Sequence, residues 1–123
     1  MEAKKKVLVI DDEVSLLETT AYVLKDRGYD VLTAASGAAG FKLANSGKPN
    51  LIILDVNMPG IDGWEALKML KANAKTKDIP VLMLTTKSMI SDVNFAFALG
   101  ATGYLTKPLN VSRLEIKVKE LIG

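Results

Sequence analysis

The chain of 123 residues has no cysteine and no histidine. Without cysteine there are no disulfides and no thiolate metal sites, and a reducing compartment is compatible with that composition. Without histidine there is no imidazole zinc site, no Ser-His-Asp catalysis and no phosphohistidine donor within the chain. No apolar run approaches the roughly 20 residues that a membrane helix needs, so no membrane insertion is expected. The opening "MEAKKKVLVI" imitates a signal peptide, but its apolar run, Val7 to Ile10, is too short for one. Lys4 to Lys6 read as a solvated lead-in. The formal net charge is only +2 with the lysines spread along the chain, which leaves the basic footprint of a nucleic-acid binder weak.

What is present is the composition of one compact folded domain, 49% hydrophobic and 24% charged. Five short apolar runs, Val7–Ile10, Val31–Ala35, Leu51–Leu54, Val81–Leu84 and Tyr104–Leu105, alternate with longer amphipathic stretches. Several are apolar throughout, as expected of strands covered on both faces. Leu17, Ala21 and Leu24 share a helical face, and Gly28 is the expected stop. "SGAAGFKLANSG" begins at a capping Ser36 and ends at Gly47, with Gly40 an unfavourable residue in its interior. Trp64, Leu67 and Leu70 form the stripe of the third helix, behind an Asp62-Gly63 turn and cap. "SDVNFAFALG" is the fourth helix. In the fifth, Asn110 caps while Leu114, Val118 and Leu121 face one way. The pattern is a strand–helix unit repeated five times. It predicts an α/β fold, a doubly wound parallel sheet with helices on both faces.

In such a sheet ligands bind beyond the carboxyl ends of the strands. The first strand runs into Asp11-Asp12-Glu13, the third into Asp55, the fourth into Thr85-Thr86 and the fifth into Thr106-Lys107-Pro108. Lys107 offsets one of the three aspartate charges, and a divalent cation would offset the rest. An all-oxygen donor set selects a hard ion, and Mg2+ suits one or two carboxylates plus waters and phosphate oxygens. A carboxylate can attack phosphorus to give an acyl phosphate, with a lysine and a hydroxyl stabilising the phosphoryl oxygens. Asp55 is placed as that nucleophile, Asp11 and Asp12 for metal, Thr85 as the hydroxyl. Taken alone, Asp11 and Asp12 would serve equally as caps of the first helix. Glu13 reads as a structural acid favouring the helix dipole, and Met58-Pro59-Gly60 as loop geometry. Trp64 reads as a partly buried anchor of its helix.

Together "VIDDE", "LIILDVNMPGIDG", "VLMLTTK" and "GATGYLTKPL" resemble the receiver domain of two-component response regulators, the CheY-like family. The resemblance covers essentially the whole chain. It implies a flavodoxin-like strand order 2-1-3-4-5 and a receiver domain over residues 1–123, with no output domain in this chain. It implies phosphorylation of Asp55 by a histidine kinase or histidine phosphotransfer protein. Mg2+ would be held by Asp12, Asp55 and the Asn57 carbonyl, and by Asp11 through water. Thr85 resembles the hydroxyl that moves toward the phosphoryl group, Lys107 the lysine that pairs with it, and Tyr104 the aromatic switch. Lys107–Pro108 is similar to the family's cis peptide. The protein would be a cytoplasmic switch rather than an enzyme, assisting its own phosphorylation and dephosphorylation. Output would pass to an effector protein or a homodimer through the fourth helix, fifth strand and fifth helix, without direct nucleic-acid binding.

Several positions depart from the family's pattern. Thr86 stands where a smaller residue is usual, which would narrow phosphodonor access or limit the packing of Tyr104. Asn57 and Lys87 stand at positions that, in the family this chain resembles, flank the path of the attacking water, which leaves the phosphoryl lifetime open. Phe95 and Ala98 replace charged residues. Phe95 is assigned to the effector or dimer interface, with a tuck against a neighbouring helix as the alternative. Two other functions compete. A flavodoxin-like cofactor binder would need a phosphate-cradling loop where this chain has acids. A metal-dependent phosphohydrolase with an aspartyl nucleophile would need an acid at the position of Asn57.

Overall fold

The computed structural model describes residues 3–123. Its elements alternate as β1 (Lys6–Ile10), α1 (Val14–Asp26), β2 (Asp30–Ala34), α2 (Gly37–Gly47), β3 (Leu51–Leu54), α3 (Gly63–Ala72), β4 (Val81–Thr85), α4 (Ile90–Ala98), β5 (Gly103–Thr106) and α5 (Val111–Ile122). All strand pairs are parallel, in the order β2-β1-β3-β4-β5 expected from the sequence.

The three inner strands are apolar except for Lys6 at the start of β1 and Thr85 at the end of β4, and the pleat divides each between two cores. Leu8, Ile10, Ile52, Leu54, Val81 and Met83 pack with α2, α3 and α4 through Ala44, Leu67, Leu70 and Ala96. Val7, Val9, Leu51, Ile53, Leu82 and Leu84 pack with α1 and α5 through Leu17, Leu24, Leu114 and Val118. The crossover from β1 turns toward β2 while the later units run the other way, so the strand order reverses between β1 and β3.

The caps follow the sequence. Ser36, Asp62 and Asn110 accept hydrogen bonds from the backbone N–H groups of Ala39, Glu65 and Arg113. Gly28, at φ +94°, ends the turn after α1. Gly40 has a packing reason: a Cβ there would run into the side chain of Ile10, so its absence lets α2 lie close over the end of β1.

Three expectations need correction. The second strand is shifted by one residue, to Asp30–Ala34, and as an edge strand it is only partly covered. Lys6 is not a solvated lead-in: its ammonium donates to the Gly47 carbonyl at 2.8 Å, at the C-terminal end of α2, where a cation complements the exposed carbonyls. Met58 is more than loop geometry, because it is buried in the core against α3 and pins the loop that follows Asp55.

Candidate functional site

Strand register brings the acids together. Ile10 pairs with Leu54, so the next residues, Asp11 and Asp55, leave neighbouring strands side by side. Both stay in the ladder: the Asp11 N–H donates to Ala34 O at 3.1 Å, and the Asp55 N–H to Ile10 O at 3.0 Å. Carboxylate oxygens of Asp11, Asp12 and Asp55 lie within 4.8 Å of one another, with Asp11 and Asp55 buried and Asp12 exposed. Gly63 sets the approach of α3, because any Cβ there would strike the backbone of Asp55 and Val56. Its N–H donates to Val56 O at 2.8 Å, closing the loop.

Lys107 comes from the far edge of the sheet. Thr106 pairs with Thr85, and the Lys107 N–H donates to Thr85 O at 2.8 Å. The side chain then reaches past β4, placing Nζ 3.0 Å from Asp11 Oδ2 and 3.2 Å from Asp55 Oδ2. Burial opposes the ammonium charge, but the hydrogen bond to Asp11 and the charges of Asp55 and Asp11 outweigh it and hold Lys107 above its ordinary range. Burial raises Asp11, and the charge of Asp55 adds to this against the hydrogen bonds from Glu13 N–H and Lys107. One cation shared by two buried carboxylates secures itself without fully compensating either of them.

Neither Asp11 nor Asp12 caps α1. Asp11 Oδ1 instead accepts from Glu13 N–H at 2.9 Å, shaping the turn into the helix. Glu13 occupies the N-cap position without a side-chain cap, and its carboxylate leans to 3.9 Å from Lys107 Nζ. The sequence reading of Glu13 as purely structural therefore missed this long-range pairing. An acid next to two pocket acids was the only signal for it.

Thr85 ends β4 fully buried, and its hydroxyl accepts from Lys87 N–H at 3.4 Å. Tyr104 meets the same residue from β5, its hydroxyl donating to Lys87 O at 2.8 Å. Burial, with the charges of Asp92 and Asp55, pushes the Tyr104 phenol up to about 12. The backbone of Lys87 thus joins Thr85 to Tyr104. Asn57 N–H points at Asp55 Oδ1 at 3.4 Å, and its side chain donates to Thr86 Oγ1 at 3.0 Å. The Lys107–Pro108 peptide is cis.

Phe95 makes the alternative contact. It lies edge-on to Trp64 of α3, with ring centroids 4.9 Å apart and planes at 76°. The residue is still 44% exposed. Trp64 is half-buried against the core, as expected of a helix anchor. No helix among the described residues is long and apolar enough to cross a membrane.

The donor set is all oxygen and clustered, as a hard divalent cation requires. Residues 7–119 match the family model of the response regulator receiver domain. The chain belongs to this family. It is a receiver domain of two-component signalling. The receiver domain is similar to the alkaline phosphatase synthesis transcriptional regulatory protein PhoP of Bacillus subtilis, 41% identical over 118 residues that cover 96% of this chain and 48% of PhoP. It thus spans about half the length of that relative and nearly all of another, protein PilH of Pseudomonas aeruginosa. With PilH it is 35% identical over 89% of this chain and 90% of PilH. In three dimensions it is similar to chemotaxis protein CheY4 of Vibrio cholerae, with a TM-score of 0.93 and 37% identity, covering 98% of this chain and 100% of that one. Receiver domains act as switches in two-component signalling.

Proposed function

We propose that this receiver domain accepts a phosphoryl group on Asp55 from a phosphohistidine of a histidine kinase or histidine phosphotransfer protein. The observation that carries the reading is the buried Lys107 ammonium shared between Asp55 and Asp11. It orients Asp55 and sets beside it a cation that can follow a phosphoryl oxygen. A carboxylate oxygen of Asp55 bonds to phosphorus, the nitrogen–phosphorus bond breaks, and the donor imidazole leaves with the electron pair and takes up a proton. Lys107 moves from the carboxylate to a phosphoryl oxygen. Thr85 turns its hydroxyl from Lys87 N–H to another. Asp12, Asp55 and the Asn57 carbonyl would hold Mg2+, with Asp11 acting through water. When bound, the ion neutralises charge on the phosphoryl oxygens and the surrounding carboxylates.

The new group adds roughly −1.5 to −2 charges at one point. Thr85 and Tyr104 share Lys87, so displacement of the Thr85 hydroxyl releases the residue that Tyr104 holds. The population of the α4–β5–α5 face then shifts. Ile90, 79% exposed, and Phe97, 48% exposed, form one stripe of α4, while Phe95 leaves the other side of the helix toward Trp64 of α3. This face is the docking surface for an effector or a second copy.

Radiolabelled small acyl phosphate tests the acceptor. Wild type takes up label only with Mg2+, and Asp55→Asn does not. Label retained in Asp55→Asn would assign the chemistry elsewhere. For the output face, Phe95→Ala weakens partner binding or self-association of the phosphorylated protein. Unchanged association would confine Phe95 to its contact with Trp64.

A further inference from the structure

α2 carries a single charged residue, Lys42, whereas α1, α3 and α5 carry three or more each. The other helix with only one is α4, on the face already assigned to output. The inner side of α2 packs on the sheet: Gly37, Gly40 and Ala44 are buried, and the two glycines bring the helix close against Ile61 and Ile10. Its outer side has no such partner. Ala38, Ala39, Lys42, Asn45 and Ser46 recur at i, i+1, i+4, i+7 and i+8, forming one stripe about 12 Å long. With Phe41 and with Lys75, from the segment after α3, they line a groove of about 730 Å3. Phe41 also packs against the core, which fixes this aromatic wall. The Asn45 amide donates to Phe41 O at 3.0 Å and the Ser46 hydroxyl to Lys42 O at 3.1 Å, so both turn back onto their own helix. What is left to meet a ligand is small apolar surface and two ammonium groups. Neither Lys42 nor Lys75 joins an ion pair among the described residues, and no acid lines the groove. Lys75 is held at its root, where its N–H donates to Asn73 Oδ1 at 2.9 Å beside the buried Thr76.

We propose that this groove docks an acidic amphipathic helix of a partner protein, at a surface separate from the α4–β5–α5 face. Two unpaired cations at the rim of an apolar groove favour an anionic partner. The small side chains of Ala38 and Ala39 let a second helix axis approach to the usual packing distance of about 8–10 Å. The shape of the groove selects among occupants. An added strand needs a free sheet edge, whereas the backbone along this groove is bonded within α2. Six of the seven lining residues come from α2, so a small molecule would be covered from one side only, while ligand pockets enclose most of their ligand. A second copy docking through its own α2 would set lysines against lysines across the two-fold axis. A helix with an apolar stripe and flanking acids meets each condition. α2 packs on β1 and β2 and beside α3, at the far side of the sheet from β5, so both surfaces can be occupied at once. The docking is independent of the chemistry at Asp55.

The test uses the full chain and a synthetic peptide of about four helical turns, its helicity verified by circular dichroism. The peptide has leucines at i, i+3, i+4 and i+7 with glutamates flanking them, and a control peptide has lysine for every glutamate. Backbone amide NMR is expected to show saturable shifts at Ala38, Ala39, Lys42, Ser46 and Lys75 with the glutamate peptide and none there with the lysine peptide. Lys42→Glu together with Lys75→Glu weakens binding of the glutamate peptide roughly 10-fold, because two exposed pairs become repulsive, and admits the lysine peptide. Ala38→Gln obstructs the groove without a change of charge and also weakens binding. These positions are exposed, so unchanged shifts in the rest of the chain report an intact fold. Absence of saturable shifts at the groove, shifts centred on Ile90 and Phe97 of α4, or equal binding of the two peptides overturns the proposal. Self-association of wild type that Lys42→Glu abolishes gives the groove to a second copy and also overturns it. Binding of phosphatidylglycerol vesicles through the same residues, with no response to the glutamate peptide, gives it to a membrane surface instead.

Discussion

Lys107 Nζ stands 3.2 Å from Asp55 Oδ2, with both side chains more than nine-tenths buried. The same nitrogen is 3.0 Å from Asp11 Oδ2, so removing it strands two buried carboxylates. Lys107→Met is expected to lower the stability of the metal-free protein by about 3 kcal/mol, the cost of breaking a buried pair from one side. Mg2+ should return much of that loss, since it supplies the missing positive charge. Urea unfolding of wild type and variant, in chelator and in Mg2+, measures both effects.

Asp12 is the exposed member of the cluster and makes no hydrogen bond to Lys107 among the described residues. In metal-free protein it contributes repulsion toward Asp11 and Asp55, so Asp12→Asn should raise the unfolding midpoint there. At a Mg2+ concentration ten times its dissociation constant, wild type should gain about 1.4 kcal/mol. Asp12→Asn should lose most of that gain. The two curves therefore cross as Mg2+ is added, and parallel curves would remove Asp12 from the metal set.

Gly40→Ala is a contest of two terms. The helix interior favours alanine by about 1 kcal/mol. The added Cβ meets three atoms of the fully buried Ile10 side chain, and overpacking costs about 1–3 kcal/mol. The second term should win, so the variant is less stable. Ile10→Val removes the Cδ1 atom that lies nearest and should recover part of the loss in the double variant. Chemical denaturation of the four proteins closes the cycle.

Tyr104 provides an alkaline signature. Its phenol is raised from 10.0 to about 12 in the folded protein, chiefly by burial. Between those values the native state binds the proton that the unfolded chain releases, so stability falls as pH rises through the window. It is fully present below the unfolded value. Tyr104→Phe should flatten that part of the fall. The near-ultraviolet phenolate absorbance should lose a late-titrating tyrosine in the same variant.

The pattern of apolar runs was enough to define the sheet, because β1, β3 and β4 are covered on both faces and their only polar residues, Lys6 and Thr85, stand at strand ends. The edge strand β2 was placed one residue late, since its exposed first residue, Asp30, does not look like a strand residue. At the site, the aspartates and Lys107 were legible because each directly follows a strand, where parallel topology collects them. Contacts made by loop side chains were not. Glu13 reaching Lys107, Lys6 holding the Gly47 carbonyl and Asn57 meeting Thr86 depend on where flexible stems point after folding. Gly40 looked like a weakness of its helix until Ile10 was seen beneath it, for helix propensity is local and packing is not.

Asp11 and Asp55 keep their places in the ladder through bonds to Ala34 and Ile10. The spacing of the two carboxylates is thus a dimension of the sheet and not of any loop. A chimera that exchanged the segments after β3 and β4 for those of a distant relative would keep the distance between these two acids. That distance is woven into the central strands, whatever the segments beyond them become.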